Sequence, residues 1–173
     1  IAPGEIVSLL GSSGCGKTTT LRMVAGLIEP THGTIRIQGQ DMAGIPPHKR
    51  DISMVFQNYA LFPHLTVYEN IVYGLKMRKI RDKKVLMERA REMMDIVQLS
   101  GVENRLPREL SGGQQQRVSL ARAMIVKPKV MLFDEPLSNL DAKLRERTRV
   151  EIRNLLKRMN VTAIYVTHDQ EEA

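Results

Sequence analysis

Residues Glu5-Ile-Val-Ser-Leu-Leu-Gly-Ser-Ser-Gly-Cys-Gly-Lys-Thr18 decide the fold. Glu5 to Leu10 reads as a buried strand that runs directly into a glycine loop. Gly11 to Thr18 fits the spacing G-x-x-x-x-G-K-[ST]. Glycines in such a loop let backbone N–H groups turn inward and close on phosphate oxygens. Lys17 then reaches the β- and γ-phosphates, and the Thr18 hydroxyl is placed to ligate Mg²⁺. A helix over Thr18 to Ile28, with Leu21, Val24, Ala25 and Ile28 on one face, aims the positive end of its dipole at the same anion. The expected contacts run through Gly11, Ser12, Ser13, Gly14, Cys15, Gly16, Lys17, Thr18 and Thr19. Taken alone, this stretch implies only that ATP or GTP binds.

Further along, Thr34 to Gln38 alternates like a half-exposed strand, and Ile52 to Phe56 reads as another short one ending at Gln57. From Asn58 to about Met124 the pattern turns helical. Asp82 is a cap for a helix whose apolar positions are Leu86, Ala90, Met93 and Val97. Pro107 interrupts the pattern, and a helix runs from Ser111 to Pro128. Val130 to Phe133 is a fully apolar strand, Asp141 to Met159 is helical again, and Thr162 to Val166 closes the readable chain as a strand. Strands alternating with helices predict an α/β fold with a mainly parallel sheet and helices on both faces. The expected division is a core of residues 1–57 and 125–173, with 58–124 as an inserted helical subdomain.

The strand Val130–Phe133 delivers Asp134 and Glu135 at its carboxyl end, where open α/β sheets bind ligands. Asp134 suits an Mg²⁺ ion held through water, and Glu135 suits a general base that polarises an attacking water. Residues Leu110-Ser-Gly-Gly-Gln-Gln-Gln-Arg117 place a serine hydroxyl and two glycine amides at a helix start, which is a second anion-binding arrangement. One nucleotide site does not need both, so the chain is expected to meet a copy of itself.

Composition narrows the class. A length of 173 residues suits one domain with a real core, and a single cysteine excludes an internal disulfide framework. No apolar run approaches the roughly 18 residues of a membrane-spanning helix. The net charge of +7 invites a nucleic-acid reading. The basic residues are scattered through amphipathic helices beside acids, however, so no nucleic acid is expected as a partner.

Gly11–Thr18, Gln57, Leu110–Arg117, Val130–Glu135, Ser138-Asn-Leu-Asp141 and His168, in that order, resemble the motif set of ATP-binding cassette nucleotide-binding domains, which are P-loop NTPases with a RecA-like core and an inserted helical subdomain. Tyr59-Ala-Leu-Phe-Pro-His64, Leu137–Arg145 and Tyr165–Gln170 are similar to the importer branch, in the style of ATPases for polyamine, ferric-ion, sulfate and sugar uptake. The run Ser111–Val118 with Ala121-Arg-Ala123 is closer to the polyamine and ferric-ion type.

The resemblance implies an ATPase that drives solute import. Two subunits would pack head to tail, as a homodimer or with a second paired subunit. ATP on one loop would then be covered by Ser111, Gly112, Gly113 and Gln114 of the other. Gln57 would touch Mg²⁺ or the attacking water, joining Thr18 and Asp134 around the metal. Glu135 and His168 would be catalytic, with His168 against the γ-phosphate, and Asp141 would organise the dimer interface. The segment from Gln57 to Leu65 would meet a transmembrane permease, although Leu61, Phe62 and Pro63 equally suit a core. The site of action would be the cytoplasmic face of the inner membrane. The resemblance also implies strands and an adenine-stacking aromatic before Ile1, and strands, a helix and often a regulatory domain after Ala173, so the chain reads as a fragment. The rival reading is a soluble cassette ATPase acting on nucleic acid or the ribosome. Such proteins usually carry two cassettes or long coiled-coil insertions, and neither is present. A nucleotide-binding regulator that does not hydrolyse is a weaker rival, because Glu135 and His168 are both in place.

Overall fold

The computed structural model describes residues 1–173, and they form two compact units. The first comprises 1–54, 129–135 and 151–173; the second comprises 55–128 and 136–150. Residues 136–150, expected from the sequence to join the core, thus cluster with the helices. No helix is long and apolar enough to cross a membrane.

The first unit is built on the strands β1 (Ile6–Leu10), β4 (Ile52–Val55), β5 (Val130–Asp134) and β6 (Thr162–Thr167), in the sheet order β1-β6-β5-β4. β6 runs parallel to both β1 and β5. The central strands β5 and β6 carry near-continuous apolar runs because helices cover parallel sheets. Their register sets Leu10 opposite Thr167 and Asp134 opposite Val166, so the chain leaves all three strands at one end of the sheet. Helix α1 (Lys17–Ala25) buries Leu21 and Ala25 against Leu132 and Val166. Leu21 is fully shielded from water, a burial that contributes about 1.5–3 kcal/mol.

Three local expectations shift. The helix expected from Ser111 to Pro128 stops at Met124, where the Lys127 N–H turns back to the Met124 carbonyl with Lys127 at φ 51°. α1 stops at Ala25 rather than Ile28, because Gly26 adopts a left-handed conformation at φ 78°. There the Gly26 N–H donates to the Met23 carbonyl at 3.0 Å and the Leu27 N–H to Arg22 at 2.9 Å, a Schellman stop that leaves Leu27 and Ile28 exposed. The strand expected over Thr34–Gln38 shrinks to β2 (Arg36–Ile37), paired antiparallel with β3 (Gln40–Asp41). Gln38 and Gly39, at φ 50° and 79°, make the tight turn between them.

The second unit is helical. Helices α2 (Val67–Met77), α3 (Lys83–Ile96) and α4 (Gly112–Met124) pack on one another. Asp82 caps α3 as expected, accepting from the N–H groups of Lys84 and Val85, and Leu86, Ala90, Met93 and Val97 are buried. α2 is an element that periodicity alone does not place. Thr66 and Glu69 form a reciprocal capping box at its start, and its Val67 and Tyr68 N–H groups donate to the carbonyls of Arg105 and Glu103. α5 (Ala142–Arg158) comes after β5 in sequence and spans the boundary between the units.

Candidate active site

In the first unit the parallel register brings three strand ends together, and each delivers a polar side chain. After β1 the chain turns through Gly14 and Gly16, both at positive φ (84° and 96°), with no heavy atom within 4 Å of where a Cβ would stand. That leaves an open, backbone-lined cradle at the amino end of α1. Lys17 reaches back across it and donates to the carbonyls of Gly11 at 2.7 Å and Ser12 at 2.8 Å. Its Nζ lies 3.7 Å from Cys15 Sγ. Ser12, Ser13, Cys15 and Thr19 are exposed along the loop and the first turn of the helix.

The Thr18 hydroxyl donates to Asp134 Oδ1 at 2.7 Å. Asp134 is buried at the end of β5, so its carboxylate is aimed rather than free to roam. The next residue, Glu135, stands at φ 45° with its N–H donating to the Val166 carbonyl at 3.1 Å. A left-handed glutamate costs about 1 kcal/mol or more, and this turn swings its carboxylate out of the strand's alternation. Glu135 Oε2 then lies 3.3 Å from His168 Nδ1. His168 leaves β6 in a turn where Thr167 Oγ1 accepts from the Asp169 N–H at 3.0 Å and donates to Glu172 at 2.8 Å. Glycine loop, hydroxyl, two carboxylates and imidazole therefore share one edge, although up to about a hundred and fifty residues separate them along the chain.

The second unit holds the remaining candidates. Ser111 caps α4: its Oγ accepts from the Gln114 N–H at 3.4 Å, while Gln114 Oε1 accepts from the Ser111 N–H at 3.0 Å. Gly112 and Gly113 lie beside Leu140 and Leu144, at ordinary contact distance for an added Cβ (3.5 and 3.4 Å). Asp141 accepts from the Leu144 N–H at 3.0 Å and so organises the start of α5. Asn139 donates to the Gln57 carbonyl at 2.8 Å. Ser111–Gln114, Asn139–Leu144 and Gln57 thus form one connected set within this unit. Of the three expected metal contacts, Thr18 and Asp134 meet in the first unit and Gln57 belongs to the second.

The segment after Gln57 is held by two residues to which the sequence assigned no role there. Asn70, fully buried in α2, accepts from the Phe62 N–H and donates to the carbonyls of Phe62, Leu65 and Thr66. Arg122, late in α4, donates to the carbonyls of Ala60 at 2.7 Å and Tyr59 at 2.9 Å, and its guanidinium stands 5.4 Å from the centre of the Phe62 ring. Burial lowers the pKa of Arg122 and raises that of Tyr59, whose hydroxyl is buried without a hydrogen-bond partner. Phe62 also packs on Tyr73, with ring centres 4.5 Å apart. Leu61 and Phe62 are half-buried, whereas Pro63 and His64 are exposed, so the segment serves partly as packing. A polar Asn within the apolar stripe of α2 is the available signal for its role; Ala121-Arg-Ala123 contributes to the family resemblance, but nothing in that run points to the carbonyls it binds.

Residues 1–138 match the family described as ABC transporter. Over the whole chain, the sequence is 58% identical to the Fe(3+) ions import ATP-binding protein FbpC of Brucella melitensis and 59% identical to that of Rhizobium etli, covering 49% of each. It is 54% identical to the spermidine/putrescine import ATP-binding protein PotA of Acidothermus cellulolyticus, covering 45% of that protein. The chain spans about half the length of the curated relatives it matches.

Proposed function

This chain belongs to the ABC transporter family, and from that membership we infer that it is the ATP-binding and ATP-hydrolysing part of a subunit that powers import of a small solute, ferric ion or a polyamine. The observation that carries the reading is the arrangement at one sheet edge: Thr18 on Asp134 at 2.7 Å, beside Glu135 and His168 at 3.3 Å.

The loop amides of Gly11–Thr18 and the Lys17 ammonium bind the β- and γ-phosphates of ATP, the nucleotide partner this family binds. Thr18 and Asp134 offer hard oxygen donors, and no group of three His, Cys, Asp or Glu side chains forms a closed protein cage elsewhere. That donor set fits Mg²⁺, which is held by one or two protein oxygens together with phosphate oxygens and water. When bound, Mg²⁺ supplies charge neutralisation on the phosphates. Glu135 accepts a proton from the attacking water, and its strained backbone keeps the carboxylate turned out from the strand. His168 orients that carboxylate, and its contact with the γ-phosphate follows from the resemblance. Gln57 adds a further contact to the metal or the water.

Ser111–Gln114 would cover the ATP of a second subunit packed head to tail, with Asp141 at that interface. The Gln57–Leu65 region would meet a permease subunit at the cytoplasmic face of the membrane. Negative charge between the phosphate-binding surfaces draws such a pair together, and loss of phosphate releases it.

Replacing Glu135 by Gln tests the chemistry. ATP affinity is expected to stay near wild type while turnover falls by about 10²-fold or more, the usual weight of a general base. Near-normal hydrolysis by this variant would take Glu135 out of that role. Co-purification of the full subunit with membrane proteins, rather than with ribosomes or DNA, tests the transport assignment.

A further inference from the structure

The helix α4 carries a second functional end. Its first residues, Ser111 to Gln114, form the exposed cap assigned above to a neighbouring subunit's nucleotide. In its last turn, about 15 Å further along the axis, Arg122 leaves the helix toward the segment after Gln57. That segment is unusual. Tyr59 and Ala60 are consecutive non-glycine residues at φ 60° and 46°. Two left-handed residues in a row do not persist unless their surroundings hold them.

The hold is specific. The two terminal nitrogens of Arg122 take one carbonyl each, Ala60 at 2.7 Å and Tyr59 at 2.9 Å, and Ser119 Oγ donates to the Tyr59 carbonyl at 3.0 Å. The planar guanidinium also faces Phe62, adding a cation–π contact beyond the kink. Arg suits this geometry and Lys does not, since only the fork reaches two carbonyls while its face remains available for stacking. Asn70 fixes Phe62 to Thr66 from the other side, through α2. Local bonds from the Tyr59 N–H to the Phe56 carbonyl and from the Ala60 N–H to the Asn58 carbonyl close the turn, and α4 ties down both of its outward carbonyls.

We propose that Arg122 is a positioning residue that sets the left-handed kink at Tyr59–Ala60, making α4 a rigid strut between the Ser111 cap and the 59–65 segment. The proposal rests on the transport reading for what the two ends do, but the kink itself is a property of this chain. Arg122 binds the 59–62 segment and lies outside the phosphate loop and the Thr18–Asp134 pair, so its loss acts on communication between the ends and not on the chemical step.

The full-length subunit carrying Arg122→Ala or Arg122→Lys tests this in two measurements. Amide hydrogen exchange of the isolated subunit is expected to speed up at Leu61, Phe62 and Leu65 in both variants, with the strands β1, β5 and β6 unchanged. Uniform loss of protection, or none at 61–65, would overturn the assignment. In the subunit assembled with its permease, the KM for ATP is expected to stay within about twofold of wild type. Permease-stimulated turnover is expected to drop on the order of tenfold in Arg122→Ala, and by less in Arg122→Lys, which keeps the charge. An equal loss of basal and stimulated turnover would mean that Arg122 acts at the nucleotide site or on folding, and would sink the proposal. Should Arg122→Ala fail to fold, Arg122→Lys decides both measurements. Wild-type protein that no permease stimulates would refute the transport reading and leave the exchange result to judge Arg122.

Discussion

Thr18 and Asp134 stand 116 residues apart in the chain, yet the Thr18 hydroxyl donates to Asp134 Oδ1 at 2.7 Å. The pair exists because β1 and β5 both run parallel to β6 and end together, so the loop after β1 meets the last residue of β5. For a hard divalent cation the same pair would supply oxygens, Thr18 directly and Asp134 through water. Asp134→Asn and Thr18→Ala are expected each to lower the Mg²⁺-dependent part of ATP affinity by about tenfold or more. ATP titration with and without Mg²⁺ measures it. Wild-type magnesium dependence in both variants would remove the pair from the metal site.

Lys17 spans the glycine loop, bonded to the carbonyls of Gly11 and Ser12. Charge-assisted hydrogen bonds contribute roughly 1.5–3 kcal/mol, and each 1.4 kcal/mol is about tenfold in affinity. Lys17→Ala is therefore expected to weaken ATP binding by about 10–100-fold, as read by calorimetry or fluorescent-nucleotide displacement. Unchanged affinity would count against the loop as the phosphate site.

Gly26 illustrates a cost that motifs do not show. It sits at φ 78°, and a Cβ added there would collide with the Arg50 guanidinium. Arg50 is buried and donates to the carbonyls of Met23 and Val24, so it braces the carboxyl end of α1. Gly33, at φ 90°, has no heavy atom within 4 Å of such a Cβ. Gly26→Ala is expected to destabilise by about 2–4 kcal/mol, through backbone strain plus the displaced guanidinium, and Gly33→Ala by only about 1 kcal/mol. Urea midpoints of the two variants give the comparison, and equal losses would refute the role assigned to Arg50.

Glu69 gives a pH signature. Hydrogen bonds from the Thr66 N–H and hydroxyl hold its carboxylate, and its pKa, below the ordinary 4.5, reflects first the backbone bond and then the side-chain one. A lowered native pKa means that the ionised form is favoured by folding, so the contribution is present above 4.5 and is lost as pH falls through the native value. Stability of the native chain is expected to drop more steeply below pH 4.5 than that of Glu69→Gln, which keeps a cap acceptor but does not titrate. Chemical denaturation across that range measures the slopes, and identical slopes would show that the capping carboxylate carries no linkage.

The candidate site is legible in the sequence where chemistry demands fixed spacing. Gly11–Thr18 needs adjacent amides, a lysine and a hydroxyl in one turn, and Ser111-Gly-Gly needs a cap at a helix start, so both appear as short runs. α2 is less legible, although Thr66-Val-Tyr-Glu69 carries a capping-box pattern, because the irregular segment before it masks the helical period. The end of α1 departs from its apolar spacing, which continues through Ile28, because the left-handed Gly26 ends the helix whatever residues come after it.

By itself, the sequence determined most of the local elements and marked the residues suited to phosphate chemistry, since propensity, capping and loop geometry act over a few residues. Only the tertiary structure decided which of those residues meet. The parallel order β1-β6-β5 set Thr18 on Asp134 and Glu135 beside His168, and the packing of α4 set Arg122 on the carbonyls of Tyr59 and Ala60. These pairings depend on strand register and helix packing, which burial of apolar faces selects over the whole chain, and no window of adjacent residues contains that information.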